Sequence, residues 1–136
     1  MDGRFYNLDD FSRLFLLAVG KAAETMTDAL LPFVDNRLLG GLIVTKHASR
    51  KMVGRLAVME AGHPLPDARS LEAGRRVREL VSGLRPRDFL ICLFSGGASA
   101  LMAAPLDGIS LEDLRTITSI LLADGASIDE LNIVRK

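Results

Sequence analysis

Short apolar runs that alternate with helical segments constrain the fold of this chain more than any other feature of its sequence. The runs cover residues 13–20, 40–45, 55–61 and 89–94, and each has the length of a buried strand. Most are followed by segments whose apolar residues recur at helical spacing. This alternation predicts an α/β fold, in which a parallel sheet lies between helices on both faces in a three-layer, Rossmann-like arrangement.

Turn and capping signals set the limits of the helical segments. The first helix follows residue 20 and is predicted to end near Pro32. The loop at residues 62–70 contains two prolines and is predicted to be irregular, and the helix after it runs to about Leu84. Two matches to the capping-box pattern predict two further helices, Ser110 with Asp113 and Ser127 with Glu130.

The composition excludes several classes of function. The 136 residues include 17 basic and 17 acidic side chains, so the chain lacks the basic surface of a nucleic-acid-binding protein. Its apolar runs are shorter than the ~20 residues that span a bilayer, and its start lacks the features of a signal peptide. The single cysteine, Cys92, is predicted to lie in the core and fits a reducing compartment. We therefore predict a cytoplasmic protein of one domain, with no membrane or nucleic-acid partner.

Two turns carry candidate chemistry, because each follows a predicted strand at the sheet edge where α/β proteins bind ligands. Gly20 and Lys21 follow the first strand, and Ser95–Ser99 follows the strand at 89–94, which is predicted to be central. Glycines let the backbone approach a ligand closely, and amide groups at the start of a helix attract anions. With Lys21 as a point charge, the two turns predict a site for a phosphate or a carboxylate.

Each of these residues is also consistent with a purely structural role, and both interpretations stay open at this point. Ser95 fits the pattern of a helix cap, and Lys21 that of a solvated side chain. His63 fits a histidine that hydrogen-bonds its own loop, and Asp67 fits the cap of the following helix.

Common motifs for nucleotide and hydrolase sites do not match. A Walker A sequence is excluded by Phe15 and Ala22, and the pattern G-x-G-x-x-G is missing. The hydrolase pattern G-x-S-x-G is excluded by Leu93. No metal site is predicted, because neither histidine has further ligands at metal-binding spacing.

Five segments in order nevertheless resemble the N-terminal part of the glycerate 2-kinases, a family in which a glycerate kinase domain is followed by a MOFRL domain. The segments are VGKAAETM (19–26), GLIVTKH (41–47), EAGHPLPDARSLEAG (60–74), FSGGASALMAAPLDGISLEDL (94–114) and LLADGASIDELNIVRK (121–136). The resemblance implies ATP-dependent phosphorylation of D-glycerate to 2-phosphoglycerate, with Mg²⁺, in a cleft between two α/β domains.

The same resemblance assigns roles to individual positions. The catalytic residues that it implies are Lys21 and Arg135. The residues that it implies for binding substrate or phosphate are Ser95, Gly96, Gly97, Ser99, Asn132 and Lys136. The loop that it implies along the cleft contains His63, Pro64 and Asp67.

The chain departs from the family pattern at several points. Ala98 stands where the family usually has a third glycine, which is unfavourable if position 98 needs a positive φ and harmless inside a helix. We expect residues 1–136 to form one domain, incomplete relative to the full family fold and without the second domain. Half a cleft is expected to bind weakly and turn over slowly.

Two alternatives to a kinase follow. The first is a non-catalytic fragment or remnant that binds or self-associates through its C-terminal side. The second is a hydroxypyruvate reductase, which the missing G-x-G-x-x-G pattern disfavours.

Overall fold

The computed structural model describes residues 4–135, and within them it contains five strands and five α-helices. In chain order these are β1 (Arg13–Val19), α1 (Ala23–Val34), β2 (Leu38–Thr45), β3 (Met52–Val53), β4 (Leu56–Glu60), α2 (Ala68–Ser82), β5 (Asp88–Phe94), α3 (Ala98–Leu101), α4 (Leu111–Ala123) and α5 (Ile128–Arg135). The predicted α/β fold is confirmed.

The five strands form one sheet in the order β3-β4-β2-β1-β5. Neighbouring strands are parallel except β3, which pairs with β4 in the antiparallel direction, so the sheet is mixed where a parallel one was predicted. The two residues of β3 are too few to produce a hydrophobic pattern, which is why the sequence gives no sign of this strand.

Helices cover both faces of the sheet, as predicted. On one face, Leu16 and Ala18 of β1 belong to a buried cluster against which Leu30 of α1 packs. On the other face, Leu17 and Val19 of the same strand share a cluster with residues of α2 and α3. Because β1 is buried on both sides, its sequence is a continuous apolar run without alternation.

The direction of the chain reverses beside β1. Helix α1 leads from β1 to β2 on one side of it, and α2 later leads from β4 to β5 on the other side. Right-handed crossovers in opposite directions place these helices on opposite faces. In open α/β sheets ligands bind at the carboxyl ends of the strands where such a reversal occurs, which here are β1 and β5.

The prediction that β5 is the central strand is wrong. Among the described residues β5 pairs only with β1, so it is an edge strand. Cys92, predicted to lie in the core, is exposed, and Phe94 is 55% exposed. An apolar run reports burial on average and carries no information about how many strands lie beside it, which explains the error.

The helix boundaries lie close to the predicted ones except at the start of α2. Helix α1 contains Pro32 in its last turn and ends at Val34, two residues later. Helix α2 begins at Ala68, inside the segment predicted to be irregular, because Asp67 caps it in a capping box with Ser70. Both capping boxes predicted later in the chain are present, at the starts of α4 and α5.

No helix in the described part of the chain has the length and apolar character needed to cross a membrane.

A partly buried ion pair joins β1 to β5 at the amino ends of the two strands. Arg13 donates from Nε to Asp88 Oδ1 over 2.7 Å, and the side chain of Asp88 is only 2% exposed. The amide of Arg85 donates to the same carboxylate over 2.6 Å. The hydrogen bond from Arg13, more than any other contact, holds the pKa of Asp88 below its ordinary value of 3.8.

We expect Asp88→Asn to destabilise the fold at neutral pH and to have a diminishing effect in acid. A carboxylate with a lowered folded pKa stabilises the protein above its unfolded pKa, and that contribution disappears as the pH falls through the folded value. Urea unfolding of the two proteins at pH 7 and at successively lower pH below 3.8 measures the difference.

The matched control is Glu72→Gln, which removes two ion pairs, with Arg75 and Arg76, from the solvent-exposed side of α2. These pairs should contribute little, although the two arginines lower the pKa of Glu72 to about 2. An Asp88→Asn effect that is equally large at every pH would contradict the prediction.

Candidate anion-binding site

The candidate site begins at Gly20, directly after β1. Gly20 has a φ of +135°, a conformation that strongly favours glycine, and its amide donates to the Val44 carbonyl over 3.0 Å. A Cβ at this position would lie 2.0 Å from Ser95 Oγ and 2.7 Å from the Ser95 carbonyl oxygen. The turn after β1 and the turn after β5 are therefore in direct contact.

Hydrogen bonds fix these two turns to each other. The amide of Ser95 donates to the Val19 carbonyl, and the amide of Lys21 donates to the Gly96 carbonyl, each over 3.0 Å. The hydroxyl of Ser95 accepts from the Ala22 amide over 3.1 Å, at the start of α1. The alternative in which Ser95 caps the helix after it is wrong, because Gly97 is the N-cap of α3 and no side chain caps that helix.

Ala98 does not occupy the position in this turn that needs a positive φ. Gly97 adopts a positive φ of +94°, whereas Ala98 is the first residue of α3 and has an ordinary negative φ. An alanine is therefore harmless at position 98, where it packs against the cluster beneath α2. Helix α3 has only four residues, so its macrodipole is much weaker than the sequence suggested.

The side chain of Lys21 extends along the backbone of both glycines. Its Cγ lies 3.6 Å from where a Cβ of Gly97 would be, and its Cε lies 3.6 Å from where a Cβ of Gly96 would be. The lysine is exposed, and its ammonium group lies one bond beyond Cε. Within residues 4–135, no protein acceptor receives the amide N–H of Gly96, Gly97 or Ala98. Backbone donors and a cation are thus brought to one place.

His63 contacts the same turn, although it follows a strand that is not next to β1. This strand is β4, and β2 lies between it and β1. The Cδ2 and Nε2 atoms of His63 lie 2.6 and 2.8 Å from where a Cβ of Gly97 would be. The peptide bond between His63 and Pro64 is cis. Nothing in the local sequence reveals this approach, since it depends on how the loop after β4 crosses the sheet edge.

Asp67 shapes the loop that carries His63. Its Oδ1 accepts from the amides of Ser70 and Gly62 over 3.1 and 3.2 Å, and its Oδ2 accepts from Arg69 Nε over 2.8 Å. Burial raises the pKa of Asp67, but the hydrogen bonds from Arg69 and the backbone outweigh it, so that the pKa is lowered overall. The capping interpretation of Asp67 therefore holds.

Among the other predicted site residues, Asn132 lies on α5 and Ser99 lies near it. Ser99 Oγ is 3.5 Å from Asn132 Oδ1, at the outer limit of a hydrogen bond, and this contact brings α5 beside the serine–glycine turn. The side chain of Arg135 and the whole of Lys136 lie outside the described part of the chain. Within that part, no group of three or more potential metal ligands is found.

Lys46 is a residue at this edge that the sequence reasoning did not select. It directly follows β2, the neighbour of β1, and is half-buried. The sequence contained the signal that could have found it: Lys46 is a basic residue directly after a predicted strand, as Lys21 is in the Gly20–Lys21 turn.

Comparison with known proteins identifies the family. A family model described as a domain of unknown function, DUF4147, matches residues 1–136. The chain belongs to the DUF4147 family. The match covers the serine–glycine turn, Lys21 and the loop of His63 within one continuous domain model.

Relatives of this DUF4147 chain carry informative names. The D-glycerate 2-kinase of Thermotoga maritima is 44% identical over 96% of this chain, and the glycerate 2-kinase of Pyrococcus horikoshii is 41% identical over 91%. A relative from Agrobacterium vitis, 39% identical over 91% of the chain, carries the provisional name hydroxypyruvate reductase. The resemblance to the glycerate 2-kinases is confirmed.

A solved structure agrees with the fold. The crystal structure of a Thermotoga maritima glycerate kinase superimposes with a TM-score of 0.81 at 43% identity, over 93% of this chain and 31% of that one. The DUF4147 chain likewise spans 31%, 28% and 28% of the lengths of the Thermotoga, Pyrococcus and Agrobacterium relatives.

We expect Gly20→Ala to lower the free energy of unfolding by about 1–3 kcal/mol or more. That range is the usual cost of a side chain in a sparsely populated backbone region, and overlap with Ser95 adds to it. The control is Gly96→Ala, where φ is not positive and the nearest atom is 3.6 Å away, so that a change within about 0.5 kcal/mol is expected. Denaturant titration compares them, and equal losses would contradict the close-approach argument.

Proposed function

We propose that this chain provides the anion-binding part of a cytoplasmic glycerate kinase, which transfers a phosphoryl group from ATP to D-glycerate and forms 2-phosphoglycerate. The observation that carries the proposal is the course of Lys21 along Gly96 and Gly97 at the carboxyl ends of β1 and β5. The names of the relatives support the same reaction class. Residues 1–136 act in this proposal as a single domain that forms one wall of the cleft.

The chemistry of phosphoryl transfer suits such a turn. The reaction depends on positioning and on stabilising negative charge that spreads over phosphoryl oxygens, and it needs little covalent participation by the protein. Amides of Gly96, Gly97 and Ala98 can donate to these oxygens without rearrangement, because the turn is already fixed by hydrogen bonds to β1 and to Lys21. The ammonium group of Lys21 adds a positive charge on the same side.

The remaining predicted residues complete this wall of the site. Ser95 already accepts a hydrogen bond through its hydroxyl oxygen, so its hydroxyl proton is what it offers a ligand. Ser99 and Asn132 offer a hydroxyl and an amide at the α5 side. We assign binding roles to Asn132 and Lys136 and a catalytic role to Arg135, as the family resemblance implies.

The two implied cofactors fit this site unequally. When bound, ATP supplies the transferable phosphoryl group, and its phosphates match the donors of the turn. Mg²⁺ is usually held by carboxylates together with phosphate oxygens, and neither Lys21 nor residues 95–99 carry a carboxylate. Asp67, the acidic residue of the neighbouring loop, is engaged as a helix cap. The described residues of this site therefore do not fit Mg²⁺.

Anion binding by Lys21 is tested with Lys21→Met, which keeps the aliphatic stem and removes the charge. We expect calorimetric titrations of the chain with ATP, D-glycerate and inorganic phosphate to show affinity for an anion that falls about tenfold or more in the variant, the loss typical of a charge-assisted hydrogen bond. The control is Lys51→Met, an exposed lysine next to β3, where no change is expected.

Enzyme assays separate the reaction classes. ADP release with D-glycerate reports kinase turnover, and NADH oxidation with hydroxypyruvate reports the alternative reductase. Equal anion affinities in wild type and Lys21→Met, or NADH oxidation without ADP release, would contradict the proposed function.

A second candidate function, self-association, is favoured by apolar side chains on the C-terminal helices. In α4 and α5, Ile120 is 54% exposed and Ile133 is 76% exposed, and in the described residues α4 has only Thr118 buried. Sedimentation velocity should then show concentration-dependent dimers that dissociate in Ile120→Lys/Ile133→Lys. A monomer at every concentration would contradict this candidate.

A further inference from the structure

The imidazole of His63 occupies the space that any side chain at position 97 would need. Its Cδ2–Nε2 edge lies within 2.8 Å of the Cβ position of Gly97. Lys21 Cγ lies 3.6 Å from the same point, so the separation of Lys21 Cγ and His63 Nε2 cannot exceed 3.6 plus 2.8 Å. The aliphatic stem of Lys21 and the polar ring edge of His63 therefore both lie close to Gly97.

The loop that carries His63 is held at both ends. At the start, the amide of Ala61 donates to the Thr45 carbonyl over 3.0 Å, which continues the pairing of β4 with β2. The amide of Gly62 then donates to Asp67 Oδ1 and Ser70 Oγ, each over 3.2 Å. Since Ser70 is fully buried in α2, the base of the loop is fixed to a helix of the core.

We propose that His63 is a ligand-contacting residue of the anion site, in which Nε2 binds an oxygen of the same phosphoryl or carboxylate group that Lys21 binds. This inference rests on the proposed function and deepens it. A backbone amide, an ammonium group and an imidazole then contact one anion from three directions, which fixes its orientation as well as its charge. Position 97 then requires glycine for two reasons. Its φ is positive, and a side chain there would displace the imidazole of His63.

The chain provides an internal reference for testing this contact. It contains two histidines, and His47 is exposed in the loop after β2. Imidazole resonances of the wild-type chain are followed by ¹H–¹⁵N NMR at constant pH while inorganic phosphate, and separately D-glycerate, is added. We expect the ring signals of His63 to shift together with the amides of Gly96 and Gly97, and those of His47 to stay in place. If phosphate shifts the His63 and glycine signals, the site binds a phosphoryl group; if D-glycerate shifts them, it binds a carboxylate.

Substitutions distinguish contact from packing. His63→Phe keeps a ring against Gly97 and removes Nε2, and we expect about a tenfold loss of affinity for the anion that binds, as for a hydrogen bond to a charged group. His63→Gln places a side-chain amide donor at a similar distance from the backbone, and it should recover part of the lost affinity. His47→Phe is the matched control and should bind like wild type.

The outcomes separate this inference from the proposed function. If the glycine amides shift and Lys21→Met weakens binding while His63→Phe binds like wild type, the role of His63 is overturned and the anion site stands. If neither anion binds the wild-type chain, both fail. Should His63→Phe not fold, His63→Gln and the ring signals of the wild type decide: an unshifted His63 ring in the presence of shifted glycine amides overturns the inference.

Discussion

The contact between the first and last strand turns is the constraint on which the rest of this structure depends. Gly20 can approach Ser95 only because it lacks a side chain, and this approach lets three hydrogen bonds link the ends of β1 and β5. The same bonds hold Lys21 against Gly96. The contact between the two turns and the candidate site thus depend on one residue, a glycine in a conformation that other residues avoid.

Much of the fold could be predicted because its strongest signals are local. The buried run of β1 and the capping boxes before α4 and α5 depend on neighbouring residues, and the structure confirms them. The edge position of β5 and the existence of β3 depend on which strands lie beside them, which the pattern of a single strand does not encode. For the same reason Cys92, which lies in β5, was wrongly predicted to be buried.

The candidate site divides along the same line. The Ser95–Ser99 turn and Lys21 could be selected from the sequence, since each lies just after a predicted strand and next to glycines. The position of His63 against Gly97 could not, because His63 follows β4 and Gly97 follows β5, two strands that are not neighbours in the sheet. The hydroxyl of Ser95 was likewise unpredictable, as its hydrogen-bond partner is 73 residues away at Ala22.

The two sides of the sheet differ in what they allow. Beside β4, the two-residue β3 runs in the antiparallel direction and gives a short edge that offers little to a further strand. Beside β5, seven residues of strand present their outer backbone groups without a partner strand in the described chain. A further strand would therefore be added more readily beside β5 than beside β3. If it ran parallel to β5, its carboxyl end would lie next to Ser95, so that an extension of the sheet would also change the rim of the candidate anion site.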